Sequence, residues 1–100
     1  MDPGDADDLT LNKNQFLAKV SQSSEAVRNG DFIRAVQCYT EAINLDPQNH
    51  ILYSNRSAAY IKLGEFKKGL TDATKARDIN PQWTKVRSFL RLFFVIFDFF

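Results

Sequence analysis

Residues 35–83 read AVQCYTEAINLDPQNHILYSNRSAAYIKLGEFKKGLTDATKARDINPQW, and the spacing inside this stretch decides the fold. Pro47 and Pro81 are 34 residues apart. The same offset, carried back toward the N-terminus, pairs Ser23 with Ser57, Gly30 with Gly64, Phe32 with Phe66, Thr40 with Thr74 and Ala42 with Ala76. Asp31 meets Glu65, Val36 meets Leu70 and Leu45 meets Ile79. Glycine, aromatic, small and proline positions that return together at one spacing mark an internal repeat.

Each unit reads as two helices. Asn12 suits a helix N-cap, with Gln15 three residues on and a Leu11–Phe16 staple. The first helix is expected to run from there to about Asn29 and to stop at Gly30, because glycine accepts the left-handed conformation of a helix end. Asp31 caps a second helix near 31–45, and Pro47 forces Asp46 out of helical geometry. The cycle repeats with helices near 48–63 and 65–79, a stop at Gly64 and a break at Pro81. Ala26, Ala35, Ala42, Ser57, Gly69, Ala73 and Ala76 are small enough for the helices of a pair to approach closely. Phe32, Tyr39, Tyr60 and Phe66 are expected to fill the remaining volume. One such hairpin cannot bury its apolar face alone, so neighbouring units must cover it.

Composition narrows the function classes. One hundred residues allow one small domain, and a net charge of +1 gives no overall bias toward nucleic acid or membrane. Residues 1–50 hold four Lys/Arg against eight Asp/Glu, and residues 51–100 hold nine against four, a weak pointer to an acidic partner. The single cysteine, Cys38, and single histidine, His50, cannot build a disulfide or a Cys/His metal site, which fits a reducing, cytoplasmic setting. Cys38 is expected in the core, and His50 merely starts the third helix. No cofactor loop, catalytic triad or paired-carboxylate pattern is present, so the chain reads as a non-enzyme. Lys67, Lys68, Lys75 and Arg77 read as the solvated face of the fourth helix. Residues 1–11, rich in aspartate, read as a disordered lead-in rather than a signal peptide.

The 34-residue helix–turn–helix unit, with small residues, an aromatic and a terminal proline, resembles the tetratricopeptide repeat. The run Tyr53-Ser54-Asn55-Arg56-Ser57-Ala58-Ala59-Tyr60 is similar to the second unit of chaperone-adaptor members. The resemblance implies an all-α solenoid: repeat 1 over 12–49, repeat 2 over 50–83, and a partial third-repeat or capping helix over 84–100. It also implies an adaptor or scaffold piece that takes a peptide segment of a partner protein in a concave groove lined by the first helix of each pair.

The groove candidates are Val20, Ser24, Val27, Asn55, Ala58, Lys62 and Lys85, with Leu17, Ile51 and Ile61 beside them. Chaperone-binding members hold C-terminal carboxylates of heat-shock chaperones with a five-residue clamp. Carried over residue by residue, its first-helix lysine falls on Val20 and its first-helix asparagine on Ser24. Its second-unit asparagine matches Asn55, its third-unit lysine matches Lys85, and its third-unit arginine falls on Phe89. The clamp is therefore incomplete, and each lost charge-assisted contact costs about 1.5–3 kcal/mol. A chaperone C-terminal peptide stays as an alternative partner. For Asn55 and Arg56 the competing reading is that they only tie adjacent helices together, and for the Val and Ile residues that they are core.

The segment after Trp83 departs from the repeat. Arg91 stands where Ser23 and Ser57 stood and is too large for a close helix crossing. The segment reads as the tail of a shortened product of a larger multi-repeat protein, replacing ordinary sequence from near Thr84 or Val86. Val86, Leu90, Phe93, Phe94 and Phe97 form a helical stripe that suits the exposed face of the 65–79 helix. Phe89, Leu92, Ile96, Phe99 and Phe100 face elsewhere. The apolar run from Phe89 holds twelve residues including Arg91 and Asp98, short of the roughly 20 that a membrane span needs. Membrane-surface contact and self-association through the tail are its remaining alternative uses.

Overall fold

The computed structural model describes residues 3–83 and residue 91. Four helices follow one another: α1 (Pro3–Arg28), α2 (Phe32–Leu45), α3 (His50–Lys62) and α4 (Phe66–Ile79). They form two antiparallel hairpins, α1–α2 and α3–α4, and α2 packs against α3 to stack one hairpin on the other.

The hairpin turns follow from glycine chemistry. Gly30 and Gly64 are the positive-φ residues among those described, at 74° and 78°. In the first turn the Gly30 N–H donates to Val27 O at 3.0 Å and the Asp31 N–H to Ala26 O at 2.8 Å. In the second, Gly64 N–H donates to Ile61 O at 2.9 Å and Glu65 N–H to Tyr60 O at 2.9 Å. Both are Schellman ends, which satisfy the last carbonyls of a helix only if one residue turns left-handed. Asp31 caps α2 by accepting from the Arg34 N–H at 3.1 Å, and Asn49 caps α3 by accepting from Ile51 N and Leu52 N. Glu65, at the place of Asp31, makes no such bond to α4.

The start of the chain differs from the sequence expectation. α1 spans Pro3–Arg28, so the described part of the stretch expected to be disordered, residues 3–11, is helical and Asn12 lies inside the helix. Neither proline nor glycine occurs between residues 5 and 28, and a helix that continues satisfies its N–H groups without a cap. Proline also suits a first helical position, where its missing N–H costs nothing. The capping helix expected over 84–100 and its stripe lie outside the described residues, apart from Arg91, which is helical and exposed.

The small residues sit where helices cross. Ala26, Ala35, Ala42, Ser57, Ala73 and Ala76 have no exposed surface at all. Ser57 Oγ donates to Gly69 O at 2.6 Å, a side-chain bond that ties α3 to α4 where the two helices cross. One core cluster joins Ala26, Ala35, Tyr39, Ala42, Ile43, Leu52 and Ala59 across α1, α2 and α3. A second gathers Tyr53, Ile61, Leu70 and Trp83 around Ala73 and Ala76. Cys38 is buried, with its thiol 3.9 Å from Gln22 Oε1. Phe66 departs from the expectation of a volume filler: it is 41% exposed, because no described helix covers it as α3 covers its counterpart Phe32.

Candidate functional site: a cleft between the first helices of the two hairpins

Successive residues of α3 have opposite duties. Asn55, Ala58 and Lys62 lie at i, i+3 and i+7, one helical face. They line a cleft of about 250 Å³ together with Val27, Phe32, Tyr39 and Ala59. Its lining is largely apolar, and its polar side-chain groups are the Asn55 amide, the Lys62 ammonium and the Tyr39 phenol. An amide donates to peptide carbonyls or carboxylates, and an ammonium offsets an anionic side chain. Burial raises the Tyr39 phenol above its ordinary pKa of 10.0, so the phenol stays neutral at physiological pH.

Four of the seven sequence candidates, Val27, Asn55, Ala58 and Lys62, are brought together here. Ser24 is exposed on α1, whereas Val20 is half-buried and packs against the first core cluster. Lys85 lies outside the described residues. Leu17 and Ile51 are exposed, while Ile61 turns away into the α3–α4 core. Sequence reasoning placed Phe32 and Tyr39 in the core only and did not assign Ala59. Their presence in the cleft follows from stacking, since α2 residues reach the gap that α1 and α3 leave between them.

Arg56, next to Asn55, points about 100° further round α3, away from the cleft. Its Nε donates to Asp72 Oδ2 at 2.7 Å and its Nη2 to Asp72 Oδ1 at 2.8 Å, a bidentate pair with α4. Its Nη1 donates to Thr40 Oγ1 at 3.0 Å on α2. The guanidinium lies 5.8 Å from the ring centres of both Tyr53 and Tyr60. The bond to Asp72 holds its pKa above the ordinary arginine value, against the opposing effect of burial. Arg56 thus ties three helices together, as one of the two sequence readings had it. Lys19 on α1 pairs with Glu41 on α2 and adds a more exposed tie. His50 meets Trp83 edge-on at 4.7 Å, and its Nε2 lies 3.3 Å from Asn80 Nδ2. Lys67, Lys68, Lys75 and Arg77 are exposed. Among the described residues no group of three His, Cys, Asp or Glu is placed to hold a metal ion, and no helix is long and apolar enough to cross a membrane.

A family model described as TPR repeat matches residues 25–64. Tetratricopeptide repeat protein 28 of Homo sapiens is 53% identical over 79 residues, 79% of this chain; the chain spans only 3% of that relative's length. Among solved structures, the Arabidopsis OM64 TPR domain superposes with a TM-score of 0.75 at 30% identity, covering 87% of this chain and 74% of that one. The first TPR of Spaghetti (RPAP3) bound to HSP90 peptide SRMEEVD superposes with a TM-score of 0.74 at 28% identity, covering 80% and 64%. Paired helices, a 34-residue period and these likenesses converge: the chain belongs to the tetratricopeptide repeat family.

Proposed function

We propose that this chain is a protein–protein interaction module that holds a peptide segment of a partner protein in the cleft between α1 and α3. The observation that carries the reading is the cleft itself: a largely apolar lining drawn from α1, α2 and α3, with one amide and one ammonium from the same face of α3. Such a site is large enough for one apolar side chain, flanked by groups that fix the backbone or an acidic neighbour. The proposed site residues are Val27, Asn55, Ala58 and Lys62, which line the cleft, with exposed Ser24 on α1 and, from the sequence alone, Lys85 as further candidates. The free, buried Cys38 suits a reducing compartment such as the cytoplasm. Peptides selected on the full chain from a displayed random library test the reading. Ala58→Trp fills the cleft from an exposed position and is expected to weaken them by about tenfold or more. Unchanged affinity in a folded Ala58→Trp protein overturns it.

A second reading is favoured by the likeness to a domain bound to an HSP90 peptide. In it the groove takes the C-terminal carboxylate of a chaperone. Three clamp positions, Val20, Ser24 and Phe89, lack the required groups, and half-buried Val20 contributes to the core instead. Titration with SRMEEVD, as free acid and as C-terminal amide, separates the two readings. Weak binding indifferent to amidation supports the first. Tight binding lost on amidation and in Lys85→Ala establishes the second.

A further inference from the structure

The polar groups of the cleft differ from those inside the stack in having nothing to bond. Within the stack, Ser23 Oγ donates to Lys19 O at 2.7 Å, Ser57 Oγ donates to Gly69 O, and Arg56 donates to Asp72 and Thr40. Lys19 and Lys68 pair with Glu41 and Glu65. The Tyr39 hydroxyl, the Asn55 amide and the Lys62 ammonium have no hydrogen-bond or ion-pair partner among the described residues.

Tyr39 is the most telling of the three. Only 6% of the residue is exposed, and a buried phenol normally finds a hydrogen-bond partner. Among the described residues no side-chain nitrogen or oxygen is both sealed from solvent and unbonded. The Tyr39 hydroxyl therefore belongs to the small part of the residue that stays open, and the cleft is the opening that Tyr39 lines. Burial alone raises its pKa, with no hydrogen bond or charge acting on it. It is a neutral donor held ready at the inner end of the cleft.

The rest of the lining narrows what could satisfy it. Tyr39 and Ala59 are buried, Phe32 and Asn55 half-buried, and Val27, Ala58 and Lys62 exposed, so the lining runs from floor to rim. It holds one cation and no anion. Phenol, amide and ammonium all donate, and a carboxylate accepts from each of them. A carboxamide would leave the ammonium without a counter-charge. An apolar tip would strip water from the phenol and the amide and return no bond, at about tenfold in affinity for each. The carboxylate needs a stem, because Val27, Phe32 and Ala59 offer only apolar contact. Glutamate, with two methylenes, has that form.

We propose that the cleft is a pocket for the side chain of an internal glutamate of the partner segment, with its methylenes against Val27, Phe32 and Ala59 and its carboxylate accepting from the Tyr39 hydroxyl, the Asn55 amide and the Lys62 ammonium. This assignment rests on the groove reading above and names its anchor, whose apolar part is the stem. Tyr39 sets the specificity, since an aliphatic anchor leaves its hydroxyl unbonded. No terminal carboxylate takes part.

Three random heptapeptide libraries, N-acetylated and C-amidated, with Glu, Gln or Met fixed at the centre, test the pocket. The best binders of each are titrated against the full chain. Glu-centred peptides are expected to bind at least about tenfold tighter than the others, and Tyr39→Phe to remove about tenfold of their advantage over Met. Lys62→Met, at an exposed position, is expected to narrow the margin of Glu over Gln in the same way. Gln-centred or Met-centred peptides that bind as tightly as Glu-centred ones overturn the pocket, and so does a folded Tyr39→Phe or Lys62→Met protein that keeps the full preference. Binding lost in Ala58→Trp without a preference for Glu sinks the glutamate pocket alone. Binding that survives Ala58→Trp, or no binder from any library, sinks the groove reading with it.

Discussion

Removing the Asp72 carboxylate is expected to cost more than any other single side-chain truncation among the described residues. Asp72 and Arg56 retain 6% and 17% of their side-chain exposure. In Asp72→Ala the guanidinium stays near the Tyr53 and Tyr60 rings with the Thr40 hydroxyl as its remaining hydrogen-bond partner among the described residues. Breaking a buried pair from one side costs about 3–5 kcal/mol, since the remaining charge is left uncompensated. The water that still reaches Arg56 lowers this to about 2–4 kcal/mol. A domain of this size holds about 5 kcal/mol at the lower end of the usual range, so roughly 40–80% of the margin goes. Urea unfolding followed by far-ultraviolet circular dichroism measures it. With a slope of about 1 kcal/mol per molar, the midpoint falls by roughly 2–4 M, or the variant is unfolded at the outset. Replacing both partners, Arg56→Met with Asp72→Leu, is expected to recover most of the loss, because apolar groups of similar volume need no pairing. A midpoint shift below about 0.5 M in Asp72→Ala, or a double variant no better than the single, refutes the account of Arg56 as the tie between three helices.

Two further outcomes follow from the turns and the core. Gly64→Ala meets no atom within 4 Å of the new Cβ, so its cost is conformational alone, about 1–2 kcal/mol for a left-handed alanine. Thermal unfolding detects it, and a Gly64→Ala protein as stable as the parent contradicts the Schellman assignment. Tyr39 has a folded pKa above its ordinary 10.0, so the folded state binds more protons between the unfolded and folded values. Its contribution is complete below about pH 10 and declines as pH rises through the folded value. Stability measured at pH 9 and pH 11 is expected to fall less in Tyr39→Phe than in the parent, and equal falls disprove the coupling.

The sequence was most informative where local chemistry dictates local geometry. Gly30 and Gly64 end helices because the left-handed turn excludes most other residues, and Asp31 caps because its carboxylate reaches a free N–H. The small residues at the crossings were likewise legible, since the offset of 34 puts each at the same place in its hairpin. The start of α1 was not, because a local cap at Asn12 competes with simple continuation and nothing in the sequence between residues 5 and 28 forbids the latter. Periodicity named the face of α3 that carries Asn55, Ala58 and Lys62, but not its edges. Ile61, next to Lys62, packs into the α3–α4 core, and Val20, two turns before Val27 on the same face of α1, packs against the first core cluster, differences that the packing of neighbouring helices decides. The Arg56–Asp72 pair spans 16 residues and two helices, and a helical period says which side Arg56 faces without saying what waits there.

Asn55 and Arg56 therefore divide two jobs between neighbouring positions. One helical step of about 100° separates them, which suffices to aim the amide at the cleft and the guanidinium at α2 and α4. The jobs are coupled through rigidity. The cleft wall is made of α3 residues, and the orientation of α3 about its axis is fixed on its far side by three charge-assisted hydrogen bonds from one side chain. A peptide that enters the cleft meets a wall already held in place, so little ordering cost is charged to binding.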